Sequence, residues 1–288
     1  MSGVAKLAVV GAGTMGHGIA YVAAAAGCAV ALTDADPAVL TRARAQIAGA
    51  FTKAIEKGKA TAQQRDQALA RLTTHETMAA AMSGADLAIE AVPERLDLKR
   101  RIFAELESLS RGDTILASNT SSIPISEIAS ALERPGRAVG LHFFNPVPVM
   151  RLVEVVRGVE TSDETVRAVR EFAESLGKTT IVVRDTPGFA TSRLGVVLGL
   201  EAIRMLEQGV ASAEDIDRAM ELGYNHPMGP LRLTDLVGLD VRLSIAETLH
   251  AALGDDTYRP PALLREKVRA GQLGRKTGQG FYTWEQER

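Results

Sequence analysis

The chain contains a single cysteine, Cys28, among its 288 residues. One cysteine excludes an internal disulfide and leaves no cysteine cluster to hold a metal ion. Cys28 lies in a run of alanine, glycine and valine, where a small packed side chain is expected rather than a reactive thiol. This usage is typical of a reducing compartment, so we expect a cytoplasmic protein.

Long apolar runs and an excess of either charge are also missing. The longest apolar run, near residues 19–32, is interrupted by Gly27 and is shorter than the roughly 18 residues that a membrane span requires. The N-terminal segment MSGVAKLAVV passes directly into an apolar strand, so neither a secretion signal nor a membrane anchor is expected. Lys and Arg number 33 against 35 Asp and Glu, a net charge of −2. We therefore expect no nucleic-acid partner and no membrane partner.

Signals of metal and hydrolase chemistry are absent from the sequence. The histidines show no ligand-like spacing, so no metal site is predicted. These five residues are His17, His75, His142, His226 and His250. No Gly-x-Ser-x-Gly motif is present, so the usual sign of a serine hydrolase is missing as well.

The pattern of apolar segments indicates two domains. Apolar residues make up 46% of the chain, enough for one large core or for a core and a smaller second one. Up to about residue 185, short apolar strands such as KLAVV, AVALT, DLAIEAV and RAVGLHF alternate with helical patterns. This alternation predicts an α/β, Rossmann-type fold with a doubly wound, mostly parallel sheet over residues 1–186. The strand signals stop at Asp185-Thr186-Pro187-Gly188, and an all-helical domain is predicted over residues 187–288.

The helical patterns give approximate bounds for the remaining elements. In the first domain, helices are predicted over residues 37–58 and 62–72. In the second, the predicted helices cover residues 193–209, 212–223, 229–254 and 261–271. Gly209, Gly223 and Gly254 are expected to end helices.

A glycine-rich segment, Gly11-Ala12-Gly13-Thr14-Met15-Gly16, follows the first strand and begins a helix. In a dinucleotide site the first glycine makes a tight turn, the second lets backbone approach a pyrophosphate and the third allows close helix packing. The N–H groups at the helix start then face an anion. Glycine turns also occur merely to pack a helix on a strand, so the spacing alone is a weak signal.

Asp34 makes the dinucleotide interpretation stronger. It lies 18 residues after Gly16 at the end of the second strand, where a carboxylate accepts hydrogen bonds from an adenosine ribose. Such a carboxylate also repels a 2′-phosphate, so NAD is favoured over NADP. The alternative role for Asp34 is that of a turn or cap residue before Pro37.

His142 and Glu154 are the candidate acid–base residues. His142 lies near the end of an apolar strand, and strand ends in such a sheet open on the cofactor crevice. An alcohol dehydrogenase needs a group that takes the hydroxyl proton as hydride leaves carbon, and histidine suits this task near neutral pH. Glu154 stands alone in the apolar strand RLVEVV, where a carboxylate requires a partner. From the pattern alone, a hydrogen-bonded core histidine and a glutamate on a solvated strand face remain open.

The segments VVGAGTMGHGIA, EAVPERLDLK, SNTSSI, GLHFFNPVPVMRLVEVV, DTPGF and GRKTGQGFY occur in this order over nearly the full chain. Together they closely resemble the (S)-3-hydroxyacyl-CoA dehydrogenases, and the bacterial 3-hydroxybutyryl-CoA dehydrogenases are nearest in length. The resemblance implies an NAD-dependent oxidoreductase that interconverts (S)-3-hydroxyacyl-CoA and 3-ketoacyl-CoA. It also implies a helical C-terminal domain that binds acyl-CoA and forms a homodimer.

The resemblance assigns roles to single residues. His142 matches the catalytic base, Glu154 matches the carboxylate paired with it, and Ser121 matches a serine that contacts the substrate hydroxyl and the nicotinamide. The alternative role for Ser121 is capping a helix that begins near Pro124.

Three further positions match residues near the cofactor. Glu94 and Lys99 match cofactor contacts on the nicotinamide side, unless they belong only to the charged first turn of a helix. Asn145 matches the asparagine of the HFFNP motif near substrate and cofactor, with turn formation before Pro146 as its alternative role.

Ser192 departs from the family pattern, and Lys57 concerns the CoA end of the substrate. The family commonly carries an asparagine at position 192, which helps bind the thioester carbonyl; a serine hydroxyl donates one hydrogen bond and is able to substitute. Lys57 is a candidate contact for the CoA phosphates, with a solvated helix lysine as the alternative.

Two other functions remain open from the sequence. One is a related dehydrogenase that acts on a non-CoA hydroxy acid, a sugar acid such as L-gulonate. The other is a catalytically idle dinucleotide-binding or structural protein of the same fold.

Overall fold

The computed structural model describes residues 3–285. The chain divides into two compact units, residues 1–186 and residues 187–288. Each unit has its own cluster of buried apolar side chains. The predicted α/β doubly wound fold followed by a helical domain is confirmed.

The first unit is built on one sheet, which has eight strands within the described residues, in the order β3-β2-β1-β4-β5-β6-β7-β8. All neighbouring strands pair in parallel except β6 and β7, which are antiparallel. The order reverses beside β1, so the strand ends around β1 and β4 form the crevice in which such sheets bind ligands. The strands are β1 (Lys6–Val10), β2 (Ala29–Thr33), β3 (Leu72–His75), β4 (Leu87–Glu90), β5 (Ile115–Ser118), β6 (Ala138–Phe143), β7 (Leu152–Arg157) and β8 (Thr179–Arg184).

The helices of the first unit connect these strands. α1 packs close to the sheet because its inward side chains are small, among them Ala20, Ala23 and Ala24, which are fully buried. Gly27 follows α1 with a φ of 99°, a conformation open to glycine that ends the helix. The helices are α1 (Thr14–Ala25), α2 (Pro37–Glu56), α3 (Ala62–Ala70), α4 (Met78–Met82), α5 (Leu96–Leu109), α6 (Ile125–Ala129) and α7 (Asp163–Ser175).

Cys28 is buried immediately before β2. Burial raises the pKa of its thiol to about 11, so the thiolate is scarce at neutral pH. This matches the expectation of a packed, unreactive side chain.

The second unit is helical, and it folds around buried residues of α8, α10 and α11 such as Val196, Leu231 and Ala246. Its C-terminal segment is held by Asp235, whose carboxylate accepts hydrogen bonds from the N–H groups of Phe281 and Tyr282 at 2.8 and 2.9 Å. The helices are α8 (Thr191–Glu207), α9 (Ala213–Gly223), α10 (Pro230–Val237), α11 (Leu239–Leu253) and α12 (Ala262–Arg269).

Two predicted helices were wrong in part. The segment 62–72 ends its helix at Ala70, and Leu72 begins β3, which pairs with β2. The sheet supplies partners for these backbone groups, which outweighs local helix preference. The segment 229–254 is two helices, because Gly238 has a φ of 105° and breaks the helix between α10 and α11. The short helix α4 was not predicted.

No helix among residues 3–285 combines the length and the apolar character needed to cross a membrane.

Candidate active site

Parallel strands bring four chain segments to one edge of the sheet. β1, β4 and β5 end at Val10, Glu90 and Ser118, and β6 runs parallel to β5 with His142 as its penultimate residue. The glycine loop, the loops after β4 and β5 and the histidine therefore share an edge. This common edge is the reason that residues over 130 positions apart in sequence contribute to one site.

The three glycines of the loop differ in their surroundings. Gly11 has a φ of 97°, and a side chain there would meet the Ala91 carbonyl oxygen at 2.7 Å. A side chain at Gly16 would meet the Gly11 carbonyl oxygen at 1.7 Å, whereas one at Gly13 would meet nothing within 4 Å. Gly11 and Gly16 are thus required by packing, and Gly13 faces open space where a phosphate group can approach the backbone.

The start of α1 is suited to an anion. Gly13 is its N-cap and provides no side-chain hydrogen bond, so the first N–H groups of the helix, which follow at Thr14 and Met15, have no side-chain cap. These residues fit the pyrophosphate of NAD.

Asp34 lies directly after β2, as predicted. Its Oδ2 accepts a hydrogen bond from the N–H of Ala12 at 2.8 Å, and its Oδ1 accepts one from Asp36 at 3.0 Å. The carboxylate therefore ties the glycine loop to the end of β2. Asp36, and not Asp34, caps the helix that begins at Pro37, so the proposed capping role for Asp34 was wrong.

His142 and Glu154 form a buried pair. They lie directly opposite each other in the antiparallel ladder of β6 and β7, which places both side chains on one face of the sheet. His142 Nδ1 and Glu154 Oε2 are 2.8 Å apart. The imidazole is 6% exposed and the carboxylate is fully buried, so the interpretation of Glu154 as a solvated strand residue was wrong.

Asn145 lies two residues after β6, and the peptide bond between Asn145 and Pro146 is cis. The backbone then turns, because the N–H groups of Val149 and Met150 both donate to the Pro146 carbonyl oxygen. The ammonium group of Lys178 holds this loop by donating to the carbonyl oxygens of Val147 and Met150 at 2.6 and 2.8 Å. Asn145 thus lies in a loop that is fastened to the sheet, and its side chain is exposed.

The loop that carries Ser121 is held by Glu94. Glu94 Oε1 accepts hydrogen bonds from the N–H groups of Ser121 and Ser122 at 3.1 and 3.3 Å and from the Thr120 hydroxyl. Burial alone would raise the pKa of Glu94, but the Lys99 ammonium and the hydroxyl groups of Thr120 and Ser122 hold it below its ordinary value. Glu94 is therefore a carboxylate that organises the segment SNTSSI.

Lys99 lies beneath this loop and is 1% exposed. Its ammonium nitrogen is 2.7 Å from Glu90 Oε1 and 3.2 Å from Glu94 Oε2. Glu90 Oε2 in turn accepts a hydrogen bond from the Ser118 hydroxyl at 2.7 Å. Lys99 is thus the centre of a buried network as well as a residue of the first turn of α5.

The sequence reasoning missed Glu90, Ser118 and Asn119. Asn119 Oδ1 accepts a hydrogen bond from the N–H of Phe143 at 2.9 Å, so the Ser121 loop is tied to the residue after His142. A signal was present for Glu90, because it is a lone acid in the apolar strand LAIEAV, as Glu154 is in its own strand.

Ser121 does not cap the helix after Pro124. The first N–H groups of α6, at Ile125 and Ser126, instead donate to the carboxylate of Asp185 at 2.8 and 2.7 Å. The alternative role for Ser121 was therefore wrong, and the residue is a half-buried member of the loop that Glu94 holds.

Lys57 and Ser192 lie on other elements. Lys57 is the exposed C-cap residue of α2. Ser192 lies in the first turn of α8, in the second unit, and is half-buried. Among residues 3–285, no cluster of three or more histidine, cysteine or acidic side chains is arranged to hold a metal ion.

A glycine loop, an acid after β2 and a buried imidazole–carboxylate pair at one edge of a doubly wound sheet define a dinucleotide-binding protein of the dehydrogenase class. Residues 6–186 match the family model described as 3-hydroxyacyl-CoA dehydrogenase, NAD binding domain, and residues 188–284 match the 3-hydroxyacyl-CoA dehydrogenase C-terminal domain. The chain belongs to the 3-hydroxyacyl-CoA dehydrogenase family. The resemblance inferred from the motifs and the prediction of NAD as cofactor are confirmed.

Curated relatives and solved structures are similar over nearly the full length. The chain is 46% identical over 282 residues to a probable 3-hydroxybutyryl-CoA dehydrogenase of Bacillus subtilis, covering 98% of each chain. It is 45% identical over 279 residues to the 3-hydroxybutyryl-CoA dehydrogenase of Bradyrhizobium diazoefficiens, covering 97% of this chain and 95% of that one. The crystal structure of (S)-3-hydroxybutyryl-CoA dehydrogenase from Ralstonia eutropha superposes with a TM-score of 0.95 at 42% identity, covering 98% of this chain and 100% of that chain.

Proposed function

We propose that the protein is an NAD-dependent dehydrogenase that interconverts (S)-3-hydroxyacyl-CoA and 3-ketoacyl-CoA. The observation that carries the proposal is the buried pair of His142 and Glu154, 2.8 Å apart, at the sheet edge that also bears the glycine loop. The names of the relatives support a short acyl chain, so 3-hydroxybutyryl-CoA and acetoacetyl-CoA are the proposed substrates.

His142 acts as the general base. A carboxylate accepts hydrogen bonds only, so the Nδ1 of His142 carries the proton that it shares with Glu154. Proton exchange with the substrate 3-hydroxyl then belongs to Nε2. Glu154 holds this tautomer and stabilises the imidazolium that forms as the hydroxyl proton is taken.

NAD+ supplies the hydride acceptor when it is bound. Gly11, Gly13, Thr14, Met15 and Gly16 would hold its pyrophosphate and Asp34 its ribose, because the backbone at Gly13 is open and the carboxylate stands at the end of β2.

The loop after β5 positions the reactants. Ser121 orients the substrate hydroxyl toward His142, and Glu94, Lys99 and Asn145 lie in the segments that border the nicotinamide. Because Glu94 and Asn119 fasten this loop at two points, Ser121 is presented without a large entropic cost on binding.

Replacing the base tests the mechanism. His142→Gln retains a side chain of similar volume but cannot take a proton, so kcat for NADH-dependent reduction of acetoacetyl-CoA is expected to fall by about 10³-fold or more. The dissociation constant of NADH, measured by fluorescence titration, should stay within about twofold of the unmodified protein. Activity above a few per cent in His142→Gln would contradict the role of His142.

The substrate class is tested by comparing acetoacetyl-CoA, free acetoacetate and sugar acids at equal NADH. The CoA thioester should be reduced at least about 100-fold more efficiently than either free acid. The relatives' names do not favour the alternative of a sugar-acid dehydrogenase or of an idle structural protein. A higher rate with a free hydroxy acid, or no turnover with any of these compounds, would refute the proposal.

Four further assignments belong to the same proposal. The second unit contributes Ser192 to substrate binding and forms a homodimer, which the exposed apolar side chains of α8 and α10 support, among them Leu194, Leu198 and Leu236. Lys57 contacts the CoA phosphates. The single cysteine supports a reducing compartment, the cytoplasm.

A further inference from the structure

Arg242, on α11, is a buried cation, and no acidic side chain among residues 3–285 pairs with it. The residue is 5% exposed, and its Nε–H has no hydrogen-bond partner among the described residues. Burial lowers the pKa of its guanidinium to about 10, and no acidic group offsets this effect. A buried unpaired charge is strongly unfavourable, so a guanidinium in this position indicates an acceptor that the described part of the chain does not supply.

The guanidinium lies along one face of α8. Its Nε is 3.3 Å from the position that a side chain on Gly199 would occupy, and its Nη1 is 3.6 Å from the corresponding position at Gly195. The two glycines give the guanidinium room to lie against the helix. Because Nε lies beside Gly199 and the terminal Nη1 lies beside Gly195, the side chain extends toward the N-terminal end of α8.

Ser192 is the next residue on this face of α8. Positions 192, 195 and 199 are separated by three and then four residues, so they lie on one side of a helix. Neighbours of this kind have Cβ atoms about 5–6 Å apart. Nη1 of Arg242 therefore lies about one helical turn from Ser192.

Position 192 is also where the resemblance leads us to expect an asparagine, and this chain has a serine. The usual asparagine presents an amide with two N–H donors, whereas serine presents one hydroxyl donor on a shorter side chain. A guanidinium has five N–H donors, and its hydrogen bonds to oxygen are charge-assisted and stronger than those of a neutral amide. Arg242 has the donors that Ser192 lacks.

We infer that Arg242 is a substrate-binding residue whose guanidinium donates a hydrogen bond to the thioester carbonyl oxygen of the acyl-CoA, beside Ser192. It takes the role that the resemblance assigns to an asparagine amide at position 192. This inference rests on the proposed function, because the acceptor belongs to the acyl-CoA substrate.

The free protein and the complex then differ in how the charge is accommodated. Without substrate the guanidinium destabilises the fold, and with substrate it gains an oxygen acceptor. Arg242→Met should therefore keep or raise the melting temperature of the free protein, because it removes an uncompensated buried charge and retains an apolar side chain. An arginine that only supports the fold would lower the melting temperature when removed.

The test compares the unmodified protein with Arg242→Met, Ser192→Asn and the double variant, using acetoacetyl-CoA and NADH. Arg242→Met should lower kcat/KM for acetoacetyl-CoA by about tenfold or more, mainly through KM, and leave the KM for NADH unchanged. Ser192→Asn, which restores the family's amide, should bring the double variant back to within about threefold of the unmodified protein. Arg218→Met is the matched control, because Arg218 is exposed on α9 and pairs with Asp215, and its removal should change neither constant.

Several outcomes would overturn the inference. One is an unchanged kcat/KM in Arg242→Met. Another is that Arg242→Met lowers kcat/KM by the same factor whether residue 192 is serine or asparagine, which would show that the two positions do not share a role. A lower melting temperature, or a change from dimer to monomer by light scattering, would make Arg242 a residue of the fold or of the dimer contact. If the unmodified protein does not reduce acetoacetyl-CoA, the proposed function fails and this inference fails with it.

Discussion

Two strands of the sheet each carry one fully buried glutamate. Glu90 is paired with Lys99 at 2.7 Å, and Glu154 with His142 at 2.8 Å. A buried carboxylate is tolerated only with a partner, so each glutamate fixes the position of the side chain with which it is paired. For Glu154 that residue is the proposed base, and for Glu90 it is the lysine beneath the Ser121 loop.

The Glu90–Lys99 pair gives a prediction about stability. Lys99→Met leaves the Glu90 carboxylate buried without its nearest cation, and the free energy of unfolding in urea should fall by about 3–5 kcal/mol. The double variant Glu90→Gln with Lys99→Met removes both charges, so much of this loss should be recovered. The exposed Lys59 provides the control substitution Lys59→Met. A double variant as unstable as the single one would mean that the uncompensated charge is not the cause.

At the scale of the element, the turn between β1 and α1 contains glycines with different roles. Gly16 is needed for packing, and Gly13 is the proposed point of approach for the cofactor. Gly13→Ala adds a methyl group that meets nothing within 4 Å, whereas Gly16→Ala adds one that would lie 1.7 Å from the Gly11 carbonyl oxygen. Gly13→Ala should keep its melting temperature and bind NADH at least about tenfold more weakly. Gly16→Ala should lose stability and binding together, because the helix is displaced from the strand. Unchanged NADH binding in Gly13→Ala would place the pyrophosphate elsewhere.

The N-terminal ends of β1 and β4 are joined by the carboxylate of Asp86, whose pKa is lowered in the folded protein. Asp86 precedes β4, accepts hydrogen bonds from the N–H groups of Ala5 and Lys6 at 2.9 Å and pairs with Arg111 at 2.7 Å. Burial raises the pKa of Asp86, but these three groups lower it more, so that the net pKa is below its ordinary value.

A carboxylate whose pKa is lowered by folding stabilises the folded protein at pH values above its pKa in the unfolded chain, about 3.9. This stabilisation disappears as the pH falls through its lower pKa in the folded protein. Asp86→Asn should therefore melt below the unmodified protein from pH 7 to about pH 4, and the two melting temperatures should approach each other only as the pH falls further, toward the lowered pKa of Asp86 in the folded protein. Differential scanning fluorimetry measures this difference, with the exposed Glu105→Gln as control. A difference that stays constant down to pH 3 would argue against the carboxylate as its source.

At the scale of the whole molecule, the second unit exposes apolar side chains that its own core does not use. Leu194 and Leu198 of α8, Leu233 and Leu236 of α10 and Val241 of α11 are exposed. Clusters of this kind on a protein surface usually mark a contact with another chain.

The dimer prediction follows from this surface. Light scattering should give twice the chain mass of 30.6 kDa. Leu198→Glu introduces a charge on the apolar face of α8 and should shift the protein toward monomer, because a buried unpaired carboxylate opposes association. The exposed Leu222→Glu on α9 is the control. A mass of one chain for the unmodified protein would refute the homodimer.

Local patterns in the sequence predicted most of the architecture. Alternating strands and helices indicated the parallel sheet, and the loop Gly11–Gly16 with Asp34 indicated the nucleotide site, because turns, helix starts and strand ends depend on residues close together in the chain. His142 and Glu154 stood out as polar residues in apolar strands. The change to an all-helical unit near residue 187 was also visible in the pattern.

Only the tertiary structure shows which buried polar side chains pair with each other when they are distant in sequence. The antiparallel register of β6 and β7 brings His142 opposite Glu154, and no local pattern states a register. The same holds for Glu90 with Lys99, for Asp185 at the start of α6 and for Arg242 against the glycines of α8. The sequence by itself marked His142 and Glu154 as polar residues within apolar strands, because the period of a strand depends on neighbouring residues. Which group pairs with each buried polar residue depends on how strands and helices meet, and Arg242 is a buried charge for which residues 3–285 supply no such group.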